Sequence, residues 1–301
     1  MLISLSKDYK SLQLWNFNGT DIELLKTINI ENCGDNFITV SKSGLHVTYN
    51  ELIEGKLYIK IINLETEEVY KLHDDVDLYN NIVFNKDETI IAYYYGNIVT
   101  ICNIKTGLII NKITTTPFNV KVINFKSIDE IIILSSITFF TYNIYTCEIV
   151  NRILDYAAIS IFTISNCGTK IAYIDRRLDS IIIRDISTNV IISNITYNSS
   201  LYNNFDIHFN VDDNMLFVID INNTGNYVLL YDLINDREYL KYDIKKYCSV
   251  IKFDFVNMLG LYRSSLKFML FNILTGETIY TFNGEDFTCL IFCGLSYGSY
   301  I

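Results

Sequence analysis

Short apolar runs alternate with polar turns along the whole chain. In the segment 81–115, apolar runs at 81–85, 89–95, 98–103 and 108–113 are separated by polar residues or glycine. Runs of this length that are rich in Ile, Val and Tyr and bounded by turn residues are typical of β-strands. Four such runs joined by short turns predict an antiparallel meander of four strands.

A short signature ends the third strand of each predicted meander. A residue that is usually apolar precedes Asn or Asp, an aliphatic residue or Phe follows, and Thr-Gly or a substitute stands three to four residues later. The successive Asn or Asp positions are 47, 40, 40, 42, 47 and 40 residues apart. This period is typical of four-stranded propeller blades rather than of helical solenoids. The seven positions are Asn16, Asn63, Asn103, Asn143, Asp185, Asp232 and Asn272.

These repeats predict an all-β fold, a seven-bladed β-propeller of four-stranded antiparallel blades in a single domain over residues 1–301. The chain begins at 2–5 with a second-strand pattern and ends with a first-strand pattern at 289–292. We therefore expect the N- and C-terminal strands to share one blade and so to close the propeller. The predicted blades are 2–29 plus 286–301, and then approximately 37–74, 81–115, 119–155, 157–197, 204–244 and 248–283.

The repeated Asn or Asp has a local structural use. Its side chain can accept a hydrogen bond from the backbone N–H two residues later, and Thr can do the same more weakly. Gly107 and Gly276 then supply the positive φ that closes a hairpin with a bulge. The pattern therefore favours a structural interpretation of these residues over a catalytic one.

The signature resembles that of the WD-repeat β-propellers, whose blades close their third strand on Trp-Asp followed by Thr-Gly. The resemblance covers the whole chain, although only Trp15 occupies the Trp position and Asn replaces Asp in five of seven units. The Gly-His that precedes the first strand in such propellers is missing, and only His73 lies near such a place. The resemblance implies a platform that assembles other proteins and is rarely an enzyme.

The net charge and the cysteines indicate which class of partner and which cell compartment to expect. A net charge of −10 and a pI near 4.8 disfavour nucleic acid and anionic membranes and favour a neutral or basic protein partner. We find no secretory signal and no stretch apolar enough to span a bilayer. Seven cysteines without a Cys-x-x-Cys pair indicate a reducing compartment, so a cytoplasmic, intracellular protein is expected.

The chain shows no motif for catalysis, metal binding or cofactor binding. Its three histidines fall in different units, which disfavours a metal site. A Gly-x-Ser-x-Gly sequence occurs at 294–298, but no helix follows it, so it is not read as a nucleophile elbow. No Gly-rich phosphate loop is present. We therefore predict no catalytic residue, no metal and no cofactor.

One face of the propeller is the predicted docking surface. Loops that lead into the first strands and loops that join second to third strands emerge on the same face of a four-stranded meander. Tyr and Arg concentrate binding energy at interfaces. The loops that lead into first strands contribute Asp74, Asp75, Tyr79, Tyr156 and Tyr202, and the predicted partner-binding residues are Tyr9, Tyr94, Tyr95, Asp175, Arg176, Arg177, Tyr262 and Arg263.

The sequence therefore predicts a non-catalytic protein–protein interaction platform. The alternative is a structural or adaptor subunit of a larger assembly, such as the substrate-recognition half of a ubiquitin ligase or a component of a particle. A propeller enzyme is the third possibility, and it requires a deep central pocket with several convergent ionisable groups.

Overall fold

The computed structural model describes most of the chain, and every helix or strand in the described part is a β-strand. The described residues are 2–17, 22–30, 38–54, 56–72, 80–115, 118–135, 138–154, 161–175, 180–196, 205–210, 212–221, 226–244, 248–254, 259–264, 267–283 and 287–292.

The strands form seven sheets of four, here called blades 1 to 7. Blade 1 contains β1 (Leu2–Ser6), β2 (Ser11–Phe17), β3 (Ile22–Asn29) and β28 (Phe287–Phe292). Blade 2 contains β4 (Thr39–Val40), β5 (His46–Ile53), β6 (Lys56–Asn63) and β7 (Val69–Lys71). Blade 3 contains β8 (Asn80–Phe84), β9 (Ile90–Tyr95), β10 (Ile98–Asn103) and β11 (Ile109–Thr114). Blade 4 contains β12 (Val120–Phe125), β13 (Glu130–Ser135), β14 (Thr138–Asn143) and β15 (Ile149–Leu154).

The remaining blades follow the same order. Blade 5 contains β16 (Phe162–Ile164), β17 (Lys170–Asp175), β18 (Ser180–Asp185) and β19 (Ile191–Thr196). Blade 6 contains β20 (Phe205–Phe209), β21 (Met215–Ile221), β22 (Asn226–Asp232) and β23 (Arg237–Ile244). Blade 7 contains β24 (Cys248–Asp254), β25 (Leu259–Ser264), β26 (Lys267–Asn272) and β27 (Thr278–Asn283).

The predicted fold class is confirmed, because seven four-stranded antiparallel meanders in sequence order define a seven-bladed β-propeller. The predicted sharing of one blade by the two ends of the chain is also confirmed. β1 pairs antiparallel with β28, with Leu2 opposite Phe292 and Leu5 opposite Cys289. β1 pairs on its other side with β2, so the order within blade 1 is β28-β1-β2-β3.

Contacts divide the chain into two compact units, and each is described by itself. Unit 1 comprises 1–79, 102–109 and 247–300, and unit 2 comprises 80–101, 110–246 and residue 301. In unit 1, one apolar cluster includes Ile3 and Val47 from blades 1 and 2, and another includes Leu2 and Leu261 from blades 1 and 7. In unit 2, three clusters join blades 3 and 4, blades 4 and 5, and blades 5 and 6.

The alternation of side chains explains why these cores lie between blades. In β13, Ile131 and Ile133 belong to the cluster shared with blade 3, while Ile132 and Leu134 belong to the cluster shared with blade 5. A strand that is covered on both faces needs an unbroken apolar run. Each fully buried aliphatic side chain of this kind contributes about 1.5–3 kcal/mol to stability. β13 is accordingly apolar without a break from Ile131 to Leu134.

Candidate functional site

The signature residues cap their own hairpins. The Oδ1 atom of Asn63 accepts hydrogen bonds from the backbone N–H groups of Glu65 and Thr66, both at 3.0 Å. Asn103 Oδ1 accepts from the Thr106 N–H at 2.9 Å. The predicted structural use is therefore confirmed, and these side chains are occupied by backbone donors. The remaining signature residues that act in this way are Asn143, Asp185, Asp232 and Asn272.

Asp185 shows the electrostatic effect of this cap. Its Oδ1 atom accepts from the Ser187 hydroxyl at 2.6 Å, and also from the backbone N–H of Thr188 at 2.8 Å and its hydroxyl at 3.0 Å. These hydrogen bonds, the Ser187 hydroxyl foremost, lower the pKa of the Asp185 carboxyl to about 2. These donors therefore stabilise the charged carboxylate over its protonated form.

The position four residues after the signature residue adopts a positive φ in six blades. Gly107 and Gly276 have φ of 68° and 72°, as predicted. In the other four blades the sequence places no glycine there, although the backbone keeps the same conformation. Those residues are Glu67, Cys147, Asn189 and Asp236, with φ of 60°, 58°, 60° and 49°.

A second cap joins the first strand to the second strand of four blades, and sequence reasoning missed it. A buried Ser or Asn accepts a hydrogen bond from the backbone N–H five residues later, at 2.8–3.0 Å. The residue three positions after the cap has a positive φ. The signal was present as Ser-x-x-Gly at 41–44 and 165–168. The four caps are Ser41, Asn85, Ser165 and Asn210.

Side-chain hydrogen bonds also join neighbouring blades within unit 2. Asn111 Nδ2 donates to the Ile144 and Tyr145 carbonyls at 3.0 and 2.8 Å, and so joins blade 3 to the signature hairpin of blade 4. Asn151, eight residues after Asn143 as Asn111 is after Asn103, donates to the Ile186 carbonyl. We call these side chains inter-blade staples. They were not found from the sequence, because Asn on an outer strand gives no local signal.

A buried carboxylate makes a similar connection between blades 5 and 6. Asp213 is buried, and its oxygens accept from the backbone N–H groups of Asn166 and Cys167 at 2.6 and 2.8 Å. The Asn166 side-chain amide donates to Asp213 at 3.2 Å and to the Asn210 carbonyl at 2.7 Å. The acidic pair at 212–213 is thus in part a structural element.

The predicted docking residues differ in accessibility. Tyr95 is 59% exposed at the end of β9, and Tyr9 is partly buried against the apolar cluster of blades 1 and 2. Tyr94 and Asp175 are buried at the ends of their strands and offer little surface. Arg176 and Arg177 lie outside the described residues, as do Asp74, Asp75, Tyr79, Tyr156 and Tyr202 and the side chains of Tyr262 and Arg263. The docking face as a whole stays a prediction.

Tyr94 positions the loop beside Tyr95. Its hydroxyl donates a hydrogen bond to the Lys121 carbonyl at the start of blade 4. Burial raises the pKa of Tyr94 to about 12, so the phenol remains a donor at any physiological pH. Tyr94 therefore connects β9 to β12 rather than presenting a ring to a partner.

Three exposed side chains lie on the hairpin between β9 and β10 and on the loop that leads into β12. They are Tyr95, Ile98 and Phe118, and together we call them the blade 3 patch; Phe118 is 54% exposed. Sequence reasoning missed Phe118, although it follows the single proline of the chain in a loop, where an aromatic residue has no core to fill.

Backbone hydrogen bonds hold the two segments of the blade 3 patch together. The Val120 N–H donates to the Gly96 carbonyl and the Thr115 N–H donates to the Asn97 carbonyl, both at 2.8 Å. The Thr115 hydroxyl donates to the Phe118 carbonyl at 2.8 Å. Tyr95 and Phe118 therefore lie on two segments that these hydrogen bonds join.

Within the residues that the structure describes, no three His, Cys, Asp or Glu side chains are grouped so that they could hold a metal ion. The described part of the chain also contains no helix with the length and apolar character needed to cross a bilayer.

The chain has the β-propeller fold, and solved structures share it. Its structure is similar to that of the beta-propeller domain of Cps50 (Swd1) from Myceliophteria thermophila, with a TM-score of 0.68 and 11% sequence identity, over 86% of this chain and 89% of that chain. At this identity the similarity shows the fold alone. The predicted resemblance to WD-repeat propellers is confirmed at that level.

The sequence comparisons found no relative of the chain. No protein-family description matches the chain, and no curated protein matches it. Because 1410 chains of known structure match the fold, the fold by itself does not select a partner.

Proposed function

We propose that this propeller is a non-catalytic protein-interaction platform and that the blade 3 patch is part of its contact face. The single observation that carries the proposal is the exposure of Tyr95 and Phe118 on two segments that hydrogen bonds join. Aromatic side chains are enriched among the residues that dominate binding energy at interfaces. A contact that is already ordered loses less conformational entropy when a partner binds.

The partner class follows from charge. With a net charge of −10, the chain attracts basic protein surfaces, does not repel neutral ones, and repels polyanions. We therefore infer a protein partner that contributes an apolar segment to the patch and has a neutral or basic surface around it.

The test is co-purification from the protein's native cells with a tagged chain, quantified by mass spectrometry. The double variant Tyr95→Ala, Phe118→Ala removes both exposed aromatic rings of the patch. The matched control is Tyr145→Ala, Tyr239→Ala, which removes two tyrosines of similar exposure, at 54% and 57%. We expect a stoichiometric partner that is lost from the patch variant and kept by the control. A partner that both variants retain would exclude the patch.

A second variant tests the wider predicted face. Arg176→Glu, Arg177→Glu and Arg263→Glu reverse three charges that the sequence places in loops or strand ends of the same face. We expect the same partner to dissociate faster from this variant, because the Arg contacts are lost, whereas the association rate at low salt should not fall, because the partner surface is neutral or basic. Unchanged binding would restrict the contact to blade 3.

A further inference from the structure

The blade 3 patch belongs to the longest stretch of the sequence that has no acidic residue. Residues 89–128 contain four lysines and neither Asp nor Glu, so this stretch has a net charge of +4 in a chain whose net charge is −10. Tyr95, Ile98 and Phe118 all lie within it. The net charge of the whole chain therefore does not describe the charge at the patch.

The acidic pairs that border this stretch lie at the far ends of the strands beside the patch. The pair at 87–88 precedes β9, whereas Tyr95 is the last residue of β9. The pair at 129–130 follows β12, whereas Phe118 precedes β12. Strands of six residues are about 17–20 Å long, which exceeds the Debye length of about 8 Å in physiological salt. These carboxylates are therefore largely screened from a ligand on the patch. The acidic residues at 74–77 lie outside the described residues.

A β-bulge places an exposed lysine beside the patch. The register of β12 on β13 shifts across Lys121, so this residue is the additional one and falls outside the alternation of the strand. Its side chain is exposed. The Tyr94 hydroxyl donates to the Lys121 carbonyl, and the Val120 N–H donates to the Gly96 carbonyl at 2.8 Å. The bulge is thus held against the β9–β10 hairpin, which carries two of the three side chains of the patch.

We propose, in an inference that rests on the proposed function, that the partner's apolar segment at the blade 3 patch carries a carboxylate and that Lys121 binds this carboxylate. The exposed side chains of the patch cover the apolar part of the segment, and the Lys121 ammonium pairs with the acidic side chain next to it. The partner surface around the segment faces the acidic remainder of the chain and is neutral or basic. The charge pattern of the partner is then complementary to the pattern on this chain, which favours one docking register over others.

The experiment selects peptides from a displayed library of random short sequences on the immobilised full chain. Peptides that also bind the variant Tyr95→Ala, Phe118→Ala are removed before sequencing, so that only ligands of the patch are kept. We expect the remaining peptides to carry Asp or Glu beside an aromatic or aliphatic residue. Their affinity for the full chain, measured by fluorescence anisotropy, should fall as the salt concentration rises.

A charge reversal then tests the role of Lys121. Lys121→Glu should weaken binding of the selected peptides by at least about tenfold, because an attraction becomes a repulsion. The matched control is Lys105→Glu, which changes the net charge equally. Lys105 is exposed and follows β10, whereas Ile98 is the first residue of that strand. The control should therefore bind the same peptides as the wild type does.

Two other outcomes separate this inference from the proposed function. Peptides that require Tyr95 and Phe118 but are neutral or basic would overturn the carboxylate and leave the patch as the contact face. Acidic peptides that bind the Lys121→Glu variant as tightly as the wild type would do the same. A selection that yields no peptide dependent on the two aromatic rings would overturn the patch as a contact face, and the carboxylate with it.

Discussion

Left-handed backbone positions in this chain are often occupied by residues other than glycine. Nine described non-glycine residues have a positive φ, among them Glu54, Glu67 and Cys147. The sequence predicted this conformation only where it placed glycine, at Gly107 and Gly276. Glu carries no local signal for it, because the turn is imposed by the strand pairing and by the Asn or Asp cap. A positive φ could therefore be predicted where a glycine permits it. It could not be predicted where strand pairing imposes it on a residue that rarely adopts it.

Glu54 offers a test of this stored strain. It lies in the two-residue connection between β5 and β6, where Ile53 pairs with Lys56, and its φ is 51°. Turns of this kind favour Asn followed by Gly. We expect Glu54→Asn to raise the free energy of unfolding by about 0.5–1 kcal/mol, measured by urea denaturation. Glu65→Asn is the control for the lost charge, because Glu65 is exposed without a positive φ. An equal gain in both variants would refute the explanation.

The Asp185 cap of blade 5 should make the stability of the protein depend on pH in the acidic range. The folded-state pKa of Asp185 is about 2, against 3.8 for the ordinary carboxyl, so the unfolded chain binds this proton first as the pH falls. The stabilisation is complete well above pH 3.8 and is lost as the pH falls towards about 2. We expect Asp185→Asn, which keeps the Oδ1 acceptor, to remove this part of the dependence, measured as thermal midpoints across that window. Parallel curves for both proteins would contradict it.

At the scale of the element, five outer strands follow a β-bulge in their pairing, and two outer strands, β11 and β15, carry a staple. The register of β15 on β14 shifts between Thr141 and Tyr142, and that of β19 on β18 shifts between Ile183 and Arg184. Bulges re-aim the side chains that follow them. In β15 the next side chain is Asn151, which reaches the blade 5 hairpin. The strands could be predicted because apolar runs alternate with polar turns along the sequence. The bulges could not be predicted, because one extra residue in a strand leaves that order of runs and turns unchanged.

The staple of blade 3 should contribute measurably to stability. Asn111 makes two hydrogen bonds to carbonyls of the blade 4 hairpin. We expect Asn111→Ala to lower the free energy of unfolding by about 1–2 kcal/mol, since a typical hydrogen bond contributes about 0.5–1.5 kcal/mol. Asn194→Ala, at an exposed asparagine of β19, is the control and should change stability little. Both would be compared by chemical denaturation. An Asn111 variant as stable as the wild type would rule out the staple.

At the scale of the whole molecule, the period of the signature predicted seven blades, and the strand patterns at the two ends of the chain predicted the blade that they share. The docking face could be predicted less well. Tyr94 and Tyr95 are neighbours in sequence, yet Tyr94 packs in the cluster of blades 3 and 4 and Tyr95 is exposed, because Tyr95 is the last residue of β9 and the five residues before it are all buried. Where the burial of a strand ends depends on the neighbouring blade. Phe118 was missed because the sequence pattern of a loop does not report how its backbone is held.

The shared blade makes the two ends of the chain depend on each other. β1 carries the buried residues Leu2, Ile3 and Leu5, and one of its two edges is covered by β28. A chain that ends after residue 286 lacks that strand. It therefore leaves the inner edge of blade 1 unpaired, with open N–H and C=O groups beside an apolar cluster.

We expect this shortened chain to lose much of its stability, which for folded domains is about 5–15 kcal/mol in total. Thermal unfolding should then show a lower midpoint and a broader transition. Addition of a peptide of residues 287–301 should restore the midpoint in a concentration-dependent manner, because binding to the folded state alone stabilises it. A peptide of the same composition in scrambled order is the control. If the shortened chain unfolds at the wild-type temperature, β28 does not close the propeller. If both peptides restore the thermal midpoint, the rescue does not come from the β1–β28 register.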